Sequence, residues 1–199
     1  MTFVVIEGGE GVGKSTQVER LATALRRTGG EVVVTFEPGD TKIGRELRNV
    51  LLHAEADLDP RAELLLLLAD RAQHVAEVIR PARERGAAVV CDRFTPSSLA
   101  YQGIARGLGV EDVERLSAWA EAGVTPDVVI VLDLPDEIAE ARVSAERDRF
   151  ERAGSRFHGT VRDAYRRLAA ERGWALVDAS GAPEAVAERV LAAVASHIS

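Results

Sequence analysis

Cysteine is nearly missing from this chain of 199 residues: Cys91 stands alone. A single thiol excludes a disulfide framework and any cysteine-based zinc site. Lysine is almost as scarce. Of 25 basic residues only Lys14 and Lys42 are lysines and the remaining 23 are arginines, so the place of each lysine is informative. Long apolar runs are lacking too. Leu64–Ala69 falls far below the ~18 residues of a membrane span. Met1–Glu7 has neither the apolar length nor the basic flank of a secretion signal. These absences lead to the expectation of a cytoplasmic chain that engages no membrane. Positive charge is also in deficit. The 25 Lys and Arg stand against 32 Asp and Glu, a net of −7, which disfavours general binding of nucleic acid.

What is present suffices for a packed domain. Hydrophobic residues make up 46% of the chain, enough to build a core rather than a disordered tail. The length suits one compact α/β domain spanning residues 1–199. Short runs rich in β-branched residues, at Phe3–Glu7, Glu31–Phe36, Ala87–Asp92, Asp127–Leu134 and Trp174–Asp178, read as strands. Four of them are nearly continuous Val, Ile, Leu or Ala, the mark of parallel strands covered on both faces. Segments rich in Ala, Leu, Glu and Arg lie between them, such as Gln17–Arg27, Arg61–Arg85 and Glu111–Glu121. The alternation predicts right-handed βαβ units and a three-layer, doubly wound, five-stranded parallel sheet. Arg142–Arg172 stands apart by charge, with nine Arg against five Asp or Glu. Taken alone it reads as a solvated helix face.

Directly after the first strand comes Gly8-Gly9-Glu10-Gly11-Val12-Gly13-Lys14-Ser15-Thr16. It fits G-x-x-x-x-G-K-[ST] without a gap and stands between a strand and a helix, as that motif requires. Glycines let successive N–H groups converge on a phosphate, and the positive end of the helix starting near Gly13 adds to their pull. All nine residues are assigned to the phosphates of a nucleotide. Lys14 is placed to bridge the β and γ oxygens, and the Ser15 hydroxyl is placed for Mg²⁺. One of the two lysines thus stands where a compact charge on a flexible stem is useful. Neither lysine is followed by Asp two positions on, so the guanine-reading element of GTPases is absent. An ATPase motor or partition protein stays open on this loop alone.

Ligands of open parallel sheets collect outside the carboxyl ends of the strands. Asp92 and Arg93 close the third strand, so Asp92 is expected to face the Mg²⁺ region and Arg93 the group opposite the γ-phosphate. By themselves Asp92 and Arg93 are also compatible with a strand-end ion pair. They are followed by Ser97-Ser-Leu-Ala-Tyr-Gln-Gly103. Added to these are Ile6–Thr16, Glu37-Pro38-Gly39, Gly44 with Glu46 and Arg48, Asp70-Arg-Ala-Gln-His74, Pro126-Asp127, Leu132-Asp133, Asp148-Arg-Phe-Glu151 and Asp178-Ala179. In this order and spacing the chain resembles, from end to end, the bacterial thymidylate kinases, a family of P-loop nucleoside monophosphate kinases.

That resemblance implies Mg²⁺-dependent transfer of phosphate from ATP to dTMP, commonly by a homodimer. It implies that Arg93 and Arg48 hold the acceptor phosphate and that Arg71 reaches the base carbonyl. Ser98 and Gln102 would lie near the base edge and Tyr101 against the sugar. Glu37 and Ser97 belong to the same acceptor motifs. Glu10 matches an acidic position that orients the acceptor sugar. Such kinases take a catalytic arginine from the phosphate loop or from a lid. The loop's variable positions contain none, so a lid at about 142–157 must supply it, with Arg142, Arg147 and Arg149 as candidates. Phosphoryl transfer of this kind is positioning and charge neutralisation. The acceptor phosphate is already largely ionised near neutral pH, its second pKa being about 6, so no general base is required. His53, His74, His158 and His197 are accordingly assigned to helix surface or packing.

Three departures from the family pattern stand out. Phe36 replaces an arginine before Glu37-Pro38-Gly39, Leu67 replaces an aromatic four residues before Arg71, and the segment between Arg142 and Asp148 is short. Leu67 offers an apolar face without the ~0.5–1.5 kcal/mol of aromatic stacking, so altered base discrimination is expected. Two further readings remain open from the sequence. One is another nucleoside monophosphate kinase with a drifted acceptor pocket; the other is a nucleotide-binding regulator that has lost transfer.

Overall fold

The computed structural model describes residues 2–53, 57–142, 149–150 and 154–198. Its centre is one sheet of five parallel strands in the order β2-β3-β1-β4-β5. They are β1 (Phe3–Gly8), β2 (Val32–Phe36), β3 (Ala88–Asp92), β4 (Val128–Asp133) and β5 (Ala175–Asp178). Each lies within about one residue of its sequence-based bounds. β1 is central, with Ile6 beside Asp92 on one side and Ile130 on the other.

Alternation along β1 explains the layers. Val4 and Ile6 point to one face and pack with Val18, Leu21 and Ala22 of α1 (Lys14–Arg26) and Val186, Val190 and Val194 of α9 (Pro183–Ile198). Phe3 and Val5 point to the other face, against Val75, Ile79 and Phe94. With both faces covered, successive residues on either face meet a core, so the strands are apolar along most of their length. A further cluster joins α3 (Pro60–His74), α6 (Val110–Glu121) and α8 (Ser155–Arg172) around Tyr101, Tyr165 and Leu168.

The stretch read as one helix over Arg61–Arg85 is continuous but not uniform. α3 passes through a π-helical turn, Val75–Ile79, into α4 (Arg80–Glu84). Pro81 has no N–H to donate and its ring crowds the preceding turn; widening the turn just before it lets the chain remain helical. α2 (Lys42–His53), α5 (Thr95–Ser98), a second π-helical segment at Leu99–Ala105 and α7 (Asp136–Glu140) complete the described helices.

The basic stretch Arg142–Arg172 divides. Its second part is α8, whose Val161, Ala164, Tyr165, Leu168 and Ala169 are buried. Arg162 and Arg166 of this helix clamp Asp133 at 2.9 and 2.7 Å. Arg167 pairs with Glu171 and Arg172 with Glu114. The solvated-face reading therefore holds for α8, whose first residues, Ser155–Phe157, overlap the lid expected at about 142–157.

Candidate active site

β1 connects outward to β2 while β3 connects back across it to β4, so a crevice opens where their carboxyl ends diverge. The phosphate loop follows β1, and Asp92-Arg93 ends β3, which puts both motifs on that crevice. A cavity of about 910 Å³ extends from the loop, at Glu10–Thr16, past Asp92 and Arg93 to Arg48, Leu67, Arg71, Ser98 and Gln102. Glu37, Ser97, Tyr101 and Arg142 also line it. This volume is at the upper end of the ~300–1,000 Å³ usual for ligand sites.

The loop has the form an anion requires. Gly11 has a φ of 73°, and a Cβ there would approach the carbonyl oxygen of Ala139 to 2.2 Å, so only glycine permits the loop to rest on α7. Gly13 opens α1 with no side-chain cap, leaving the first helical N–H groups available. The Lys14 ammonium donates to the Gly9 carbonyl at 2.7 Å. Burial, then the Arg93 charge, pull its pKa down, against the attraction of Glu10 and Asp92. Gly8 and Gly9 stand behind the cavity wall, and their carbonyls receive Arg93 and Lys14.

Arg93 is the junction of the site. It is not glycine, yet its φ is 68°, a conformation that costs a side-chain-bearing residue and is found where function demands it. Its guanidinium bonds the Gly8 carbonyl and the Ser97 hydroxyl, both at 3.1 Å, and pairs with Glu10. It also lies 5.3 Å above the Tyr101 ring. Burial opposes charge on Glu10, but Arg93 and Lys14 prevail and hold its pKa at about 2.

On the acceptor side the side chains hold one another. Glu37 accepts from Arg71 Nε at 2.9 Å and faces His74 Nδ1 at the same distance. Arg71 also reaches Ser98 Oγ at 3.1 Å. Arg48 donates to the Pro38 carbonyl at 2.7 Å and lies 5.8 Å from the centre of the Phe36 ring. Phe36, 40% exposed, lines the cavity with Leu67. The aromatic missing at position 67 thus has a counterpart on β2, whose ring lies beside Arg48.

The three candidate arginines fare differently. Arg142 lines the cavity. Arg149 is turned to Glu63 at 2.7 Å and to the Leu51 carbonyl at 2.8 Å, and is not part of the cavity lining. Arg147 lies outside the described residues.

Ser15 Oγ donates to Asp92 Oδ2 at 3.0 Å, while Asp92 Oδ1 is buried without a hydrogen-bond partner among the described residues. A hydroxyl and an unsatisfied carboxylate oxygen beside a phosphate loop fit Mg²⁺, which takes one or two protein oxygens and completes its shell with water and phosphate. Among the described residues no group of three or more His, Cys, Asp or Glu side chains is gathered to hold a metal ion.

Sequence reasoning passed over several residues that support the site. Glu7, fully buried, accepts from the Phe94 amide at 2.8 Å, from Ser97 Oγ at 2.6 Å and from Tyr165 Oη at 2.7 Å. Burial raises its pKa against the pull of Arg93. Glu63 is likewise buried and receives Gln102 Nε2 at 2.7 Å. A signal for both was available: each is a lone carboxylate abutting an apolar run, and a buried charge requires partners. Tyr165 gave no such signal. His74 is buried as packing would have it, but both its ring nitrogens are engaged, by Glu37 and by Thr35 Oγ1.

The thymidylate kinase family matches residues 6–190. The thymidylate kinase of Leifsonia xyli subsp. xyli is 49% identical over 192 residues, covering 94% of this chain and 91% of that protein. That of Solidesulfovibrio magneticus is 48% identical over 200 residues, covering 94% and 96%. A crystal structure of thymidylate kinase from Ehrlichia chaffeensis superposes with a TM-score of 0.80 at 29% identity, over 97% of this chain and 98% of that one. A phosphate loop and an arginine-lined crevice in one cavity, with relatives matched along nearly their full length, lead to one conclusion: the chain belongs to the thymidylate kinase family.

Proposed function

We propose that the chain catalyses ATP-dependent phosphorylation of dTMP to dTDP. The observation that carries this is the single cavity joining the phosphate loop to the pocket of Arg71, Ser98 and Gln102, with Arg93 between them. Two polyanions that meet there face Lys14, Arg93 and Arg48 and the uncapped end of α1. Such fixed charges in a water-poor cleft stabilise a loose phosphoryl transition state with little covalent help from the protein. The attacking oxygen belongs to a phosphate that is already largely ionised near neutral pH, its second pKa being about 6, so no side chain need remove a proton. Glu10 holds the Arg93 fork in register, and Glu37 does the same for Arg71.

Ser15 and Asp92 are the residues that would hold Mg²⁺, and the ion, when bound with ATP, neutralises charge on the donor phosphates. Arg142, on the cavity wall, is the arginine of the 142–157 lid segment whose position favours contact with the transferring group. Arg149 serves instead as an anchor. We read residues 1–199 as one kinase domain acting in the cytoplasm. No helix among the described residues is long and apolar enough to cross a membrane, and the net charge of −7 disfavours nucleic acid. The homodimer reading draws support from Trp119, Leu65 and Leu116, which are exposed on α3 and α6, two helices that pack on each other.

The test is a coupled assay with dTMP, dUMP, dCMP and dGMP as acceptors at saturating ATP. dTMP should turn over fastest, followed by dUMP, because a single methyl is worth only ~1–3 kcal/mol of discrimination. Little turnover of dTMP beside strong turnover of another acceptor would replace this reading with a different monophosphate kinase. Nucleotide binding with no transfer to any acceptor would leave a regulator.

A further inference from the structure

Glu63 does not line the cavity, but its partners do or adjoin residues that do. The carboxylate, 1% exposed, receives four donors. Gln102 Nε2 at 2.7 Å and Arg106 Nε at 3.3 Å reach Oε1. Arg106 Nη2 at 3.2 Å and Arg149 Nη1 at 2.7 Å reach Oε2. Arg149 is followed by Phe150, which lines the cavity beside Tyr101.

We propose that Glu63 is a positioning residue for base selection: it fixes which edge of the Gln102 carboxamide faces the acceptor base. The inference rests on the thymidylate kinase reading above and deepens it. A carboxylate flanked by two guanidiniums accepts and does not donate. Gln102 must therefore turn its NH₂ group toward Glu63, since the flipped amide would set oxygen against oxygen. Its Oε1 takes no hydrogen bond among the described residues and is left for a ligand. The cavity then offers the base an acceptor at this point and no donor. Thymine and uracil carry a donor at N3 and match it. Cytosine has a bare N3 acceptor and meets repulsion between lone pairs. A site built to pair a ligand N–H discriminates strongly because a mismatch leaves buried polar groups unpaired.

Releasing the amide should therefore cost selectivity more than turnover. Glu63→Gln can donate as well as accept and no longer dictates the orientation of Gln102. Expected is a fall of roughly 10- to 100-fold in kcat/KM for dTMP, the loss of a charged hydrogen bond. It should appear mainly in KM, with KM for ATP unchanged. dCMP should not lose in proportion, so the preference for dTMP over dCMP narrows by about 10-fold or more. Arg106→Gln perturbs the same cluster but leaves the Glu63–Gln102 bond, and should keep the wild-type preference. Glu63→Asp retains the acceptor one methylene further away, and should narrow the preference by a smaller factor. If Glu63→Gln does not fold, as judged by its melting curve, Glu63→Asp decides the question.

An unchanged preference in the folded Glu63 variant overturns the inference, as does equal narrowing in Arg106→Gln or a rise in KM for ATP in step with that for dTMP. In each of those cases an active wild type leaves the dTMP kinase reading intact. A wild-type chain inert toward dTMP overturns both.

Discussion

Asp70 sits in an environment that opposes the charge of its side chain. It is buried in α3, its Oδ1 accepts the Gly39 amide at 3.0 Å, and its Oδ2 has no partner among the described residues. Burial, then the charge of Glu37, raise its pKa to about 7, with His74 and Arg71 opposing. The raised value makes the native state bind more protons than the unfolded chain between about pH 4 and pH 7, so this carboxyl lowers stability as pH rises across that window. Asp70→Asn keeps the acceptor for Gly39 and removes the charge. It should raise the melting temperature by several degrees at pH 8, and the gain should shrink toward zero near pH 4. Melting curves of both proteins across that range check it; a gain independent of pH would mean that the Asp70 charge is not what is relieved. Glu10 shows the opposite balance, because its neighbours Arg93 and Lys14 are cations and overcome the same desolvation.

At the scale of elements, α2 and α3 lie close because Gly44 leaves room. A Cβ at that position would stand 2.4 Å from Asp70 Oδ1 and 2.8 Å from Thr41 Oγ1. α2 also carries Arg48 to the acceptor end of the cavity. Gly44→Ala must push α2 away, and overpacking of this kind costs about 1–3 kcal/mol. We expect a lower melting temperature together with a higher KM for dTMP and an unchanged KM for ATP, since α1 and the phosphate loop lie apart from this contact. Steady-state kinetics with each nucleotide varied in turn distinguish this from general destabilisation, in which both KM values rise. The same helix pair shows why an apolar run can mislead. In Leu64–Ala69 only Leu64 and Leu68 are fully buried, while Leu65 faces outward.

For the whole molecule, that outward face has a consequence. Trp119 is 83% exposed, and Leu65 on α3 and Leu116 on α6, two helices that pack on each other, are exposed as well. Large apolar side chains left in water favour a partner surface, and a twofold dimer would cover this one twice. Light scattering coupled to gel filtration should give the mass of a dimer, and Trp119→Glu combined with Leu65→Glu should give that of a monomer. A monomeric wild type would exclude the dimer. A double variant that stays dimeric moves the interface elsewhere.

The strand and helix alternation and the phosphate loop were legible in the chain because each is written locally. Apolar continuity marks a strand covered on both faces, and Gly8–Thr16 carries its chemistry within nine adjacent residues. Convergence was not legible in the same way. Tyr165 meets Glu7 across 158 residues of chain, and Arg149 meets Glu63 through contacts that no spacing encodes. Sequence could thus name Arg142, Arg147 and Arg149 as equivalent candidates, whereas packing turned Arg149 to Glu63 and left Arg142 on the cavity wall. It could single out Lys14, because the loop motif needs a lysine there, but not the burial that lowers its pKa. The scarcity of cysteine and lysine already excluded whole classes of chemistry. Which arginine lines the cavity and which braces a carboxylate was decided only by tertiary structure, because desolvation and charge pairing depend on neighbours in space rather than along the chain.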